Sequence, residues 1–151
     1  MQGMNMTEEA ISTVHICKEI VIAASMAEVF ESVLAMAGPE NERPDGVAMP
    51  MVLEAWPGGR WFRDLGEGVG HWWGQVQVIK PPTLLEIHGP MFMSYPAVSH
   101  VQYRLTAAGE ATRLTLTHRA MGQIPEDHRR GVAMGWEHGL NKIRERCEGP
   151  R

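Results

Sequence analysis

Pro125-Glu-Asp-His-Arg-Arg-Gly-Val-Ala-Met-Gly-Trp-Glu-His-Gly-Leu-Asn-Lys-Ile-Arg-Glu-Arg-Cys147 is the stretch whose reading decides the fold. It predicts one long C-terminal helix. Pro125 suits a first helical position, and Glu126 and Asp127 suit the positive end of the helix dipole. Lys142, Arg144 and Arg146 suit the negative end, and Gly149-Pro150 cannot continue a helix. Between these ends Val132, Trp136, Leu140, Ile143 and Cys147 recur at four, four, three and four residues, one apolar helical stripe. Beside the stripe run Gly131, Gly135 and Gly139, each four apart. A glycine inside a helix costs about 1 kcal/mol against alanine, so the row needs a reason. Either the helix backbone packs closely on a sheet, or the missing side chains leave room for a ligand.

A chain of 151 residues suits one domain with a sizeable core. The expected division is a loose N-terminal tail over 1–12 and a single domain over 13–149. Hydrophobic and charged contents of 44% and 21% are those of an ordinary soluble globular protein. A net charge of −4 gives no general attraction to nucleic acid or to anionic membranes. No apolar run approaches the ~18 residues of a membrane span, and the polar N-terminus is not a secretion signal. The expected localisation is therefore cytoplasmic. Cys17 and Cys147 form no disulfide framework and read as small buried side chains. Eleven methionines supply adaptable apolar surface.

Working back through the chain, Val14, Ile16, Ile20, Val21 and Ile22 predict a strand over Thr13–Ala24, with Lys18 interrupting its apolar alternation. Ser25 and Glu28 form a capping box, and Met26, Val29, Phe30, Val33 and Leu34 form the stripe of a helix that Gly38-Pro39 stops. Glu40 to Ala48 is a loop. Six short strands are then expected: Met51–Trp56, Arg60–Asp64, Gly70–Ile79, Leu84–His88, Ser99–Leu105 and Thr112–Arg119. Turn residues such as Pro57-Gly58-Gly59 and Gly66-Glu67-Gly68 separate them, which implies an antiparallel meander. Alternation directs Val101, Tyr103 and Leu105 inward, and likewise Leu114, Leu116 and His118. It places Trp72 with Val76 and Val78, and Trp73 on the opposite side.

This order and several motifs resemble the START-like, or SRPBCC, superfamily. Within it they resemble the branch named after the activator of heat-shock-protein-ninety ATPase homologue. The resemblance is carried by Lys18-Glu-Ile-Val-Ile-Ala-Ala24 with Ser25 and Val29-Phe30, and by Pro57-Gly-Gly-Arg-Trp61. Gly74-Gln-Val-Gln-Val-Ile-Lys-Pro-Pro82, Thr112-Arg-Leu-Thr-Leu-Thr-His118 and Gly135-Trp136 complete it. It implies an α+β helix-grip fold, in which a curved antiparallel sheet wraps a long C-terminal helix. The implied order is strand, helix, an optional second helix, six strands and the long helix. Glu40–Pro50 departs from the pattern, because it lacks the tryptophan that many relatives carry there.

The aromatic residues Trp56, Trp61, Trp72, Trp136 and Tyr103, with the Met91-Phe92-Met93 cluster and Tyr95, can pack a core or line an apolar cavity. Combined with the glycine row and the resemblance, they point to a binding domain for an apolar, aromatic or lipid-like small molecule. Trp61, Trp72, Tyr103, His118, Met134, Trp136 and His138 are its expected lining. His118 is either a hydrogen-bonded structural histidine or a group that orients or titrates with a ligand. One alternative is a cyclase- or hydrolase-type enzyme, with His118 as acid or base and Tyr103 as donor. Another is a co-chaperone-like domain, although 151 residues leave no room for the additional N-terminal domain of the full co-chaperone. No cofactor is expected, and no metal. His128 and His138 stand ten residues, about 1000° of helix rotation, apart and do not share a face. Neither a Gly-x-Ser-x-Gly nucleophile motif nor a catalytic cysteine setting is present.

Overall fold

The computed structural model describes residues 6–92 and 94–149. The strand predicted at the start is β1, Ser12–Ile22, and the capping box opens α1, Met26–Ala37, with the Ser25 hydroxyl accepting from the Glu28 amide at 3.2 Å. The six following strands are β2 Val52–Leu53, β3 Arg60–Gly66, β4 Val69–Lys80, β5 Leu84–Gly89, β6 Ala97–Ala108 and β7 Ala111–Gly122. The long helix α2 runs Glu126–Glu148. All seven strands join one antiparallel sheet in the order β1-β7-β6-β5-β4-β3-β2, and with α2 they form the helix-grip arrangement. No second helix lies between α1 and β2; residues 38–51 hold turns and one bridge, Glu42 to Ala48. Met93 of the expected aromatic cluster and Pro150 lie outside the described residues.

The burial of β6 and β7 follows their alternation. Val101, Tyr103 and Leu105, and Leu114, Leu116 and His118, are all buried on the inner face. All but His118 pack with Val29, Phe30 and Val33 of α1 and Leu140 and Ile143 of α2 into the main core. Lys18 lies on the inner side of β1 and reaches Glu137 of α2 at 3.9 Å, so its break in the apolar pattern marks where the strand faces the helix. Arg129 donates to the Thr13 carbonyl, and the Glu148 carboxylate accepts from the Ala23 amide at 2.8 Å, which fastens both ends of α2 beside β1.

Three expectations need correction. The second strand is two residues long, because Glu54 turns to accept from the Arg60 amide and guanidinium at 2.8 Å. Cys17 is exposed on the outer face of β1. On β4 the faces are reversed: Trp73 is buried at 9% exposure, whereas Trp72 is 47% exposed. The cause is a bulge. Trp61 pairs with Gly74 and Phe62 with Trp72, leaving Trp73 as an extra residue that breaks the two-residue period. Gly74 makes it possible, since a Cβ there would come within 2.4 Å of the His88 carbonyl oxygen.

Candidate functional site

α2 rests on α1 and β1, and a gap lies between its stretch 128–143 and the middle of the sheet. The gap is a cavity of about 420 Å³, within the range of small-molecule sites. The glycine row lies along it: Gly131, Gly135 and Gly139 all line the cavity, and a Cβ added at any of them would meet nothing within 4 Å. Close backbone packing is therefore not what these glycines serve. Trp61, Trp73 and Tyr103 form the sheet side, with Phe92 beyond them, and Trp136, Leu140 and Ile143 extend the helix side. The loop after α1 contributes Asn41, Glu42, Arg43, Pro44 and Met49, of which Arg43 and Pro44 are exposed and mark the rim.

Internal hydrogen bonds fix the aromatic walls. The Trp61 indole N–H donates to the Ala37 carbonyl at 2.7 Å, and the Trp61 ring meets Trp73 edge-on at 5.1 Å. The Trp136 N–H donates to His118 Nδ1 at 2.8 Å. An indole N–H only donates, so Nδ1 carries no proton, and Nε2–H donates to the Ser99 hydroxyl at 2.9 Å. His118 is fully buried, and desolvation pulls its pKa down to about 4, which keeps it neutral at pH 7. At the rim Glu42 accepts from His138 at 2.9 Å and lies 3.7 Å from Lys142, tying the loop to α2. Arg146 pairs with Glu40 at 3.1 Å and adds a second tie. Where α2 begins, the Tyr95 hydroxyl bonds to His128 Nδ1.

Of the seven residues expected at the site, the structure brings Trp61, Tyr103, Trp136 and His138 together around the cavity. His118 lies behind Trp136, with both ring nitrogens engaged, and acts as the anchor of that wall. Trp72 and Met134 are elsewhere: Trp72 is turned outward by the bulge, and Met134 is 72% exposed on the far side of α2. Phe92, of the aromatic cluster, lines the cavity too, and Trp73 and His128 join it without having been expected there. The bulge hid Trp73. The 1000° between His128 and His138, weighed only against a shared metal site, leaves them about 80° apart, and the cavity spans an arc of the helix wide enough to take in both. Among the described residues no group of three or more His, Cys, Asp or Glu could hold a metal ion, and no helix is long and apolar enough to cross a membrane.

The family model described as Activator of Hsp90 ATPase homolog 1-like protein matches residues 47–148. No curated protein is significantly similar in sequence. Among solved structures the chain is similar to the Mll3558 protein from Rhizobium loti, at 22% identity and a TM-score of 0.67, over 91% of this chain and 99% of that one. It is similar to StfQ, a di-domain ARO/CYC from the steffimycin biosynthetic pathway, at 13% identity and a TM-score of 0.64, over 90% of this chain and 51% of that one. It is also similar to Ara h 8.0201, at 11% identity and a TM-score of 0.60, over 88% of this chain and 96% of that one. At these identities the likeness is one of fold.

Proposed function

The chain belongs to the Activator of Hsp90 ATPase homolog 1-like family, and we propose that it holds an apolar small molecule, aromatic or lipid-like, between its sheet and C-terminal helix. The observation that carries this reading is the glycine row. Three glycines weaken α2, no close contact requires them, and all three face the cavity. A chain that needed only a core would gain about 1 kcal/mol at each position from alanine. The cost is offset if the space is occupied by something other than protein. Largely apolar walls support an apolar occupant, as does their internal fastening, which keeps the cavity from collapsing on itself.

Binding without turnover is favoured over the cyclase or hydrolase reading. His118, the residue that reading depends on, has neither nitrogen free to exchange a proton with a ligand. The test is titration with Nile red, a neutral dye whose emission rises in apolar surroundings. Saturable binding at one dye per chain is expected, with a dissociation constant in the micromolar range, about −8 kcal/mol. No saturable change with protein raised to about 100 µM would overturn the proposal.

A further inference from the structure

Most polar side chains around the cavity are engaged within the protein. Trp61 donates to Ala37, Trp136 to His118, and Glu42 is held by His138. Tyr103 and Trp73 differ. They are only 5% and 9% exposed, yet neither the Tyr103 hydroxyl nor the Trp73 indole N–H makes a hydrogen bond to another described residue. Leaving a buried polar group without a partner is costly, so such atoms are rare. Among the described residues the sole fully enclosed side-chain nitrogen or oxygen without a partner is Arg144 Nε. The Tyr103 and Trp73 atoms must therefore still touch open space. The open space that both residues line is the cavity.

His128 lines the same cavity. Tyr95 engages its Nδ1 and leaves Nε2 without a partner among the described residues. Its ring and that of Trp73 both pack on Phe92, with centroids 5.0 and 5.6 Å from it.

Resting on the binding reading above, we infer that the cavity selects a neutral apolar molecule bearing a carbonyl or similar oxygen acceptor, which the Tyr103 hydroxyl holds. Trp73, whose ring packs on Phe92 as that of His128 does, is a further donor to the same kind of group. An indole N–H can only donate, and a phenol donates strongly, so the complementary group on the ligand is an acceptor. The ligand is neutral because the cations near the cavity are already paired, Arg43 with Asp45 and Lys142 with Glu42 and Glu145. A buried anion would exchange its hydration for no free charge. Burial raises the Tyr103 pKa and lowers that of His128, so both present uncharged groups at pH 7.

The experiment compares fluorene, 9-fluorenone and fluorene-9-carboxylate, which share one ring skeleton, as competitors of Nile red. The wild-type protein is expected to bind fluorenone about three- to tenfold more tightly than fluorene, the gain of one hydrogen bond, with the carboxylate weakest. In Tyr103→Phe the ratio of fluorenone to fluorene affinity falls to about one. This variant should fold normally, since the hydroxyl it loses has no protein partner. Equal affinities in the wild type, an unchanged preference in Tyr103→Phe, or a carboxylate that binds best would each overturn the inference while leaving the cavity a binding site. Failure of Nile red itself to bind would remove both.

Discussion

The indole N–H of Trp136 and Nδ1 of His118 lie 2.8 Å apart, joining α2 to β7 by a bond between two side-chain rings. The ring centroids are 5.5 Å apart at 78°, so the indole edge meets the imidazole while its face remains for the cavity. His118 passes the connection on to Ser99 of β6. The helix wall of the cavity is thus held to the sheet at a point where side-chain packing alone would let the space close.

Removing the acceptor should therefore be costly. His118→Leu keeps the volume but leaves the Trp136 N–H and the Ser99 hydroxyl without partners. A loss of about 1–3 kcal/mol is expected in urea melts. His118→Gln retains an acceptor and a donor of similar reach and should lose less. A leucine variant as stable as the wild type would show that the bond carries little weight.

The same histidine predicts a pH dependence. Its folded pKa of about 4 lies below the ordinary 6.5. Between these values the unfolded chain binds a proton that the native state does not, so stability falls as pH falls. The contribution is complete above pH ~6.5 and is lost on descending to pH ~4, at most about 3 kcal/mol. Because carboxylates and His128 titrate too, the quantity to measure is the difference between wild type and His118→Gln across that window. A difference that does not change with pH would contradict the buried neutral imidazole.

At the rim, Glu42 ties the loop to α2 through His138 and Lys142. Such half-exposed pairs contribute little to global stability, so Glu42→Ala should shift melts by under about 1 kcal/mol. Its effect should appear in exchange. Loosening the loop by ~1 kcal/mol would speed Nile red release about fivefold, readable by stopped-flow dilution. An unchanged release rate would mean that the ligand leaves by another route.

What the sequence made legible depended on whether local periodicity survived in three dimensions. In β6, β7 and α2 it did, so the inward positions of Tyr103 and Leu116 and the Val132–Ile143 stripe could be read directly. In β4 it did not. Extra residues at Trp73 and at Gln77 each reset the alternation, and no residue type announces such a bulge except a glycine, here Gly74. Met134, expected in the lining, lies elsewhere: the cavity follows the glycines, and α2 turns Met134 to solvent. Contributions from the loop after α1 depend on long-range ties such as Glu40 to Arg146, which no local pattern encodes.

The most direct test of a ligand-holding cavity is Gly135→Leu, measured for stability and Nile red affinity in the same preparation. Gly135 has ordinary helical geometry and open space where its side chain would be. Leucine there should raise helix propensity by up to about 1 kcal/mol and fill part of the cavity. The expected result is a protein at least as stable as the wild type, with dye affinity reduced about tenfold or more, equivalent to 1.4 kcal/mol. A stable variant that binds the dye as well as the wild type would contradict the cavity as the binding site.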